Sequence, residues 1–277
     1  MLQRTRTRHR CSMTTTVSVQ EDNRVRLEKQ ARLRRLREER NRLKLQQLLA
    51  HFWNQIVFLE GKKGKGKTLA AVAIVKQLRD LFGKHVVCIG SRLGLTEAFG
   101  EHTFLDERRF IEELDKIRLI SKDTDDAQVQ TAVEGALASL GIDIMDATLV
   151  FDEAYKLFDA RTPSDKLVRV FGYFMAQSRH YNITIVLVAP NRDMIDKRVR
   201  RQIDWFGRCS TTCRSVPNPE TAKPMCVKRG CPHRTTVRFI GGAERFKLTI
   251  YGPTYWDLFD TWTRVGFRES HLRIGNL

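Results

Sequence analysis

The chain has 277 residues, with 49 Lys/Arg against 32 Asp/Glu and a formal net charge of +17. That length suits one α/β domain with additions, or two small domains. No apolar run approaches the ~20 residues that span a bilayer, and the basic, threonine-rich N-terminus lacks the apolar core of a secretory signal, so a soluble intracellular protein without a transmembrane segment is expected.

The positive charge is uneven. Residues 1–50 carry 14 Lys/Arg against 5 Asp/Glu, residues 192–277 carry 17 against 8, and the stretch between them is nearly neutral. Basic flanks around a neutral middle point to an anionic partner, most simply nucleic acid. A solvated tail and an acidic membrane surface are the alternatives.

In chain order, residues 1–20 are too poor in large apolar side chains to pack and read as a disordered basic tail. Residues 21–52 read as a basic helical arm, rich in strong helix formers and free of Gly and Pro. Leu36 and Leu43 repeat at seven and Leu33 joins them, a stripe too sparse for a coiled coil. A solvated helix held by Glu–Arg pairs and an arm that contacts nucleic acid or docks on a partner both satisfy the pattern.

The core domain is expected over residues 53–205. The apolar run at 55–60 predicts a buried parallel strand. It leads into Gly61-x-x-x-x-Gly66-Lys67-Thr68, the spacing of a phosphate-binding P-loop. Gly61, Gly64 and Gly66 let backbone N–H groups curl around phosphate oxygens with no Cβ in the way. Lys67 is expected on the β- and γ-phosphates and the Thr68 hydroxyl on Mg²⁺. The helical spacing after Thr68 would set the phosphates at a helix N-terminus.

A second strand is expected at 85–90. Residues 105–139 look mostly helical, with a polar break at 121–126. A third strand at 147–152 delivers Asp152 and Glu153 to the carboxyl edge of the sheet, beside the P-loop, where open α/β sheets bind ligands. Asp152 is expected to hold Mg²⁺, and Glu153 to act as general base on the attacking water. An acidic pair capping the next helix is the plainer alternative. A helix at 164–178 and a fourth strand at 182–189 complete an α/β alternation that predicts a parallel sheet with helices on both faces. No Asn-Lys-x-Asp guanine-reading run is present, which favours ATP over GTP.

Residues 206–235 are cysteine-rich. Cys209, Cys213, Cys226 and Cys231 are spaced C-x3-C-x12-C-x4-C, with His233 as a spare ligand, and the pattern predicts a structural Zn²⁺ insertion. Two disulfides or small buried side chains are the alternatives. Cys11 and Cys88 sit apart. Residues 236–277 are expected to complete the ATPase domain with two strands, 235–240 and 246–251, joined by the turn Gly241-Gly242-Ala243-Glu244, and a short aromatic helix at 255–262. Those aromatics suit core or subunit packing better than base stacking.

The order of these elements resembles the FtsK/HerA group of DNA-translocating ATPases. Within that group it is similar to the genome-packaging ATPases of tailless and membrane-containing viruses and to the Zot-like morphogenesis ATPases of filamentous phages. The resemblance covers roughly residues 55–265. Its more specific parts are Arg179-His180-Tyr181, the segment 195–200 and the Tyr255-x-Asp257-x-x-Asp260-Thr261 pattern. It implies an ATP- and Mg²⁺-dependent homo-oligomeric ring, commonly a hexamer, that pumps DNA through its centre. It also implies an arginine finger reaching the neighbouring subunit's γ-phosphate, Arg179 or failing that Arg200. The family's sensor glutamine is replaced by Pro190, with Asn191 next to it as a substitute. Zot-like proteins often carry a membrane segment and none is read in this sequence, which favours packaging of a viral genome into a preformed capsid over extrusion, in the host cytoplasm or on the virion, docked to a capsid vertex or a membrane protein. Extrusion or morphogenesis, or plasmid or cellular DNA translocation, are the neighbouring alternatives. A zinc-containing nucleic-acid-binding regulator with a nucleotide switch is the alternative of another class.

Overall fold

The computed structural model describes residues 25–30, 32–33, 36, 43, 46–90, 93–106, 109–110, 112–113, 126–140, 146–161, 166–213, 215–217, 224–226 and 231–259. The expected tail at 1–20, most of the break at 121–126 and the end of the aromatic segment, Asp260, Thr261 and Trp262, lie outside them. The chain divides into two units, residues 1–47 and 48–277. In the first, every described residue is helical, and Leu33, Leu36 and Leu43 are all exposed.

The second unit is built on an eight-stranded sheet. In chain order its strands are β1 (Ile56–Glu60), β2 (His85–Ile89), β3 (Thr103–Leu105), β4 (Ala147–Asp152), β5 (Thr184–Ala189), β6 (Trp205–Thr211), β9 (Arg234–Gly241) and β10 (Glu244–Tyr251). Across the sheet the order is β10-β9-β6-β1-β5-β4-β2-β3. The strands from β6 to β3 are parallel, and β9 and β10 extend the sheet antiparallel.

β1, β4 and β5 are apolar almost without interruption because helices cover both faces. Ile56 and Phe58, Leu149 and Phe151, Ile185 and Leu187 join one core. To that core α3 (Lys166–Gln177) brings Val168, Phe171, Phe174 and Met175, and α2 (Asp126–Ser139) brings Ala136. The alternate residues Val57, Leu59, Val150, Val186 and Val188 are also buried, on the face covered by α1 (Lys67–Phe82). α1 ends on Gly83, whose φ of 68° is left-handed and whose N–H donates to the Arg79 carbonyl, the usual chemistry of a glycine stop. The expected parallel sheet flanked by helices is therefore present.

The cysteine-rich stretch is arranged differently from its expectation. Residues 205–211 form β6, paired in parallel with β1 as Val57↔Trp205 through Glu60↔Arg208. Among the described residues that follow, 212–213 and 231–233 lie outside the sheet, and β7 (Ser215–Pro217) and β8 (Pro224–Cys226) pair antiparallel as a separate two-stranded sheet in the register Ser215↔Cys226. The β9–β10 hairpin closes as expected, with Gly242 at φ 55° in a two-residue loop. β3 was not expected from the sequence.

The closing aromatic segment forms two 3₁₀ turns, Gly252–Thr254 and Trp256–Leu258. It straps the sheet's antiparallel end to the opposite part of the domain. The Tyr255 hydroxyl accepts from Gln77 Nε2 on α1 at 3.3 Å. Thr96 donates its N–H to the Leu258 carbonyl at 3.1 Å and its hydroxyl to the Asp257 carbonyl at 2.6 Å.

At the amino edge of the parallel strands, Lys84 is 1% exposed. Its ammonium lies 4.2 Å from the centroid of the Trp53 ring and donates to Asn54 Oδ1 at 3.1 Å and to the Asn182 carbonyl. Burial lowers its pKa from 10.5 to about 8, against an opposing pull from Asp146. No described helix is long and apolar enough to cross a membrane.

Candidate active site

All the parallel strands end on one edge, and the P-loop leaves β1 there. Gly61 donates its N–H to the Pro190 carbonyl at the end of β5, 3.2 Å away. The loop turns through a Lys65 N–H to Lys62 carbonyl bond of 3.1 Å. Gly64 at φ 74° has open space around it, and Gly66 at φ 81° starts α1. A β-carbon on Gly66 would stand 2.6 Å from Thr235 Oγ1 in β9, and one on Gly61 would stand 3.1 Å from the Cys209 carbonyl in β6. The loop is pressed into the corner between β6 and β9, so its glycines answer to their surroundings as well as to their torsions. The N–H groups of the first turn of α1 point out of the helix toward the loop, as at any helix start. Lys62, Lys63 and Lys65 are exposed. Lys67 folds back so that Nζ donates to the Lys62 carbonyl at 3.4 Å, and Thr68 follows half-buried. The loop therefore fits a polyphosphate: a backbone cradle with an ammonium lying over it.

Asp152 ends β4, is 6% exposed, and lies on the same edge. β5 runs between β1 and β4, so the acidic pair stands two strand spacings, ~10 Å, from the P-loop strand rather than next to it. Glu153 has φ 56° and ψ 39°, a left-handed backbone that non-glycine residues rarely adopt. The Tyr155 hydroxyl bonds the Glu153 carboxylate, and that bond, followed by burial and the negative charge, raises the phenol's pKa. The sequence carried no signal for Tyr155 beyond its place two residues after the base.

Pro190 and Asn191 occupy the strip between P-loop and acidic pair. Asn191 Oδ1 accepts from the Asp193 N–H at 3.2 Å and caps the following turn. Glu60 and Arg208, side by side in β1 and β6, pair at 2.9 Å.

The two finger candidates lie apart. Arg179 is 63% exposed and pairs with Asp204 at 2.7 Å. Asp204 Oδ2 in turn accepts the Ile56 N–H at 2.8 Å, which sets the pair at the start of β1, on the edge opposite the P-loop. Arg179 therefore does not serve its own chain's phosphate site. Arg200, in the short helix α4 (Lys197–Arg200), pairs with Asp193 at 2.8 Å in the turn after β5.

The cysteines divide. Cys209 is buried in β6 on the face it shares with Trp205 and Gly207. Burial pushes its thiol up to about 12, with the Lys67 ammonium pulling down and Glu60 adding to the rise. It belongs to the wall of the P-loop, and its expected place in a four-cysteine zinc set is corrected. Among the described residues, the group that converges is Cys213, Cys231 and His233, with ligand atoms all within 4.8 Å of one another. Cys213 Sγ is 3.6 Å from Cys231 Sγ and 3.8 Å from His233 Nδ1. Cys226 lies in β8, and its side chain is outside the described residues. Cys88, Cys209, Cys213 and Cys231 form no disulfide.

The family model described as zonular occludens toxin (Zot) matches residues 55–213. Among solved structures, the chain is similar to the N-terminal domain of zonular occludens toxin from Neisseria meningitidis, at 15% identity over 75% of this chain and 99% of that one, with a TM-score of 0.45. It is also similar to the genome packaging NTPase B204 of Sulfolobus turreted icosahedral virus 2 in complex with AMPPCP, at 14% identity over 70% and 96%, TM-score 0.42. A third is the pCW3 conjugation coupling protein TcpA with ATPγS, at 14% identity over 72% and 61%, TM-score 0.42. No curated protein matches the chain.

Proposed function

This chain belongs to the zonular occludens toxin (Zot) family, and from that premise we propose that it is a Mg²⁺-dependent ATPase that drives DNA into a preformed viral capsid. The observation that carries the reading is the convergence, on one sheet edge, of the glycine cradle with Lys67 and the Asp152–Glu153 pair one strand beyond its neighbour.

Lys67 binds the β- and γ-phosphate oxygens, and Thr68 and Asp152 are the residues that would hold Mg²⁺. The metal, when bound, neutralises charge on the phosphates. Glu153 orients the attacking water and takes its proton, and Tyr155 fixes the carboxylate by its hydrogen bond. The left-handed backbone at Glu153 stores strain of about 1–3 kcal/mol, a cost found where a side chain must be aimed. Asn191 holds the turn beside the γ-phosphate position. In a homo-oligomeric ring, most simply a hexamer, Arg179 acts on the neighbouring subunit's nucleotide, where an arginine finger is worth ~10³-fold or more in rate. The basic flanks at 1–50 and 192–277 supply the DNA contacts. The motor works in the host cytoplasm, docked at a capsid vertex.

Family membership favours a second reading with the same chemistry: a morphogenesis motor that moves DNA through a membrane-bound assembly. The deciding experiment measures ATP hydrolysis with and without DNA. Glu153→Gln is expected to lower DNA-stimulated turnover at least ~10²-fold, the contribution of a general base, while nucleotide affinity holds. Retained turnover in the variant overturns the site. ATP binding with no DNA-stimulated turnover in the wild type marks a nucleotide-switched regulator. DNA that becomes nuclease-protected only with empty capsids and ATP separates packaging from extrusion.

A further inference from the structure

The cluster outside the nucleotide site has the dimensions of a metal centre. A tetrahedral zinc with Zn–S near 2.3 Å and Zn–N near 2.05 Å sets sulfur–sulfur separations at ~3.8 Å and sulfur–nitrogen separations at ~3.6 Å. Cys213 and Cys231 hold their sulfurs 3.6 Å apart, and Cys213 Sγ stands 3.8 Å from His233 Nδ1. A disulfide would need the sulfurs at ~2.05 Å. The surroundings are those of a built site. The His233 N–H donates to Cys231 Sγ at 3.4 Å, a bond that stabilises thiolate charge. The Thr212 hydroxyl lies 3.8 Å from the same sulfur. The His233 ring meets the Trp256 ring edge-on at 5.2 Å, and its backbone carbonyl accepts from the Gly252 N–H at 2.7 Å. His233 is held at φ 49°, an uncommon conformation for a histidine.

The position of the cluster gives it a consequence. Cys213 lies two residues beyond β6, and Cys231 lies three residues before β9. The two segments are joined between them by the Thr212 N–H to Arg234 carbonyl bond of 3.0 Å. These are the two strands that press on the P-loop, β6 through the Cys209 carbonyl at Gly61 and β9 through Thr235 at Gly66. We propose that Cys213, Cys231 and His233 bind one Zn²⁺ as a clasp that fixes the spacing of β6 and β9 and so sets the shape of the phosphate loop. Binding releases the thiol protons and leaves Cys209 uncoordinated. The ligand assignment stands on its own; the effect on nucleotide rests on the ATP reading above.

The test uses the full chain, purified reduced from zinc-supplemented cells, with zinc measured by elemental analysis. Wild type and Cys209→Ser are expected to carry about one zinc per chain. Cys231→Ser and His233→Ala are expected to lose it, and His233→Cys, which restores a ligand, to keep it. A zinc-free wild type, a Cys213–Cys231 disulfide in the intact mass of the reduced-purified chain, or a Cys209→Ser variant as zinc-poor as Cys231→Ser overturns the assignment. A second measurement follows affinity for a fluorescent ATP analogue before chelation, after it, and after zinc is returned. Affinity is expected to fall on chelation and to recover on return of zinc. Unchanged affinity in the zinc-depleted chain overturns the coupling. A zinc-loaded chain that binds no analogue in any state refutes the nucleotide reading, and the coupling with it, while the ligand set is supported.

Discussion

β1 has two unlike neighbours. On one side β5, and β4 beyond it, end in Pro190, Asn191, Asp152 and Glu153, groups whose value lies in charge and hydrogen bonding. On the other side β6 and β9 present a backbone carbonyl and a threonine side chain that lie 3.1 and 2.6 Å from the β-carbon positions of Gly61 and Gly66. One side supplies chemistry and the other supplies shape. The chemical side is expected to fail when a functional group changes at constant volume, as in Glu153→Gln. The shaping side is expected to tolerate chemical change and to fail when volume changes.

On the shaping side the largest effect follows from adding one carbon. Gly66→Ala places a methyl against Thr235 and asks alanine to hold a left-handed backbone. The left-handed backbone costs alanine about 1–2 kcal/mol; an unliganded loop that relaxes out of it must be driven back on binding, roughly tenfold in affinity, before any overlap. Nucleotide affinity by calorimetry is therefore expected to fall by more than tenfold. Adding Thr235→Ala removes the two nearest atoms and is expected to recover part of the loss. A double variant no better than the single one would show that the wall does not act on the loop.

A smaller effect separates both sides from the N-terminal unit. Deleting residues 1–45 removes all of the first +9 of charge but no group at or beyond Gly61. Basal ATP hydrolysis is expected to be unchanged. DNA binding should weaken, and its log–log salt slope should flatten by ~0.9 for each duplex phosphate that is no longer neutralised. An unaltered slope would move the DNA-binding surface to the C-terminal flank.

The smallest effect concerns the opposite edge, where Lys84 carries charge but no chemistry. Its folded pKa is lowered to about 8 from 10.5, so the unfolded chain binds the proton more tightly between those values. The burial penalty is present in full below pH 8 and is relieved as pH rises through that window. The stability difference between wild type and Lys84→Met, from urea midpoints, should be flat below pH 8 and should shift in favour of wild type above it. A flat difference throughout would place Lys84 in an ordinary aqueous setting.

The chemical side was legible in the sequence because its signals are local. The P-loop spacing, the apolar run into Asp152 and the run at 182–189 each fit within a few residues, and the sheet has all three, the last as β5 from Thr184. The shaping side was not, because its meaning lies in pairing. Trp205, Gly207 and Cys209 alternate with Phe206, Arg208 and Ser210, a period-two signal of a half-buried strand. The regular cysteine spacing masked that signal. Cys209 was counted with its sequence neighbours, whereas the strand turns it inward and leaves His233 to stand with Cys213 and Cys231. β3, with three residues, was too short to show a period at all. Nothing in the linear order announced that β5 would separate the P-loop strand from the acidic pair, since strand insertion is a property of topology.

The pairing of β1 with β5 and β6 also sets an order of assembly. The P-loop leaves the ribosome before the strands it pairs with: the register Ile56↔Ile185 and Val57↔Trp205 joins it to strands more than a hundred residues later, and Thr235 comes later still. Long-range pairings of this kind form slowly and leave strand edges open meanwhile. A ligand stabilises only the state that binds it. ATP therefore cannot assist before those strands are made. It can act only once the chain has passed Thr235, so the nascent protein depends on protection of its exposed edges until then.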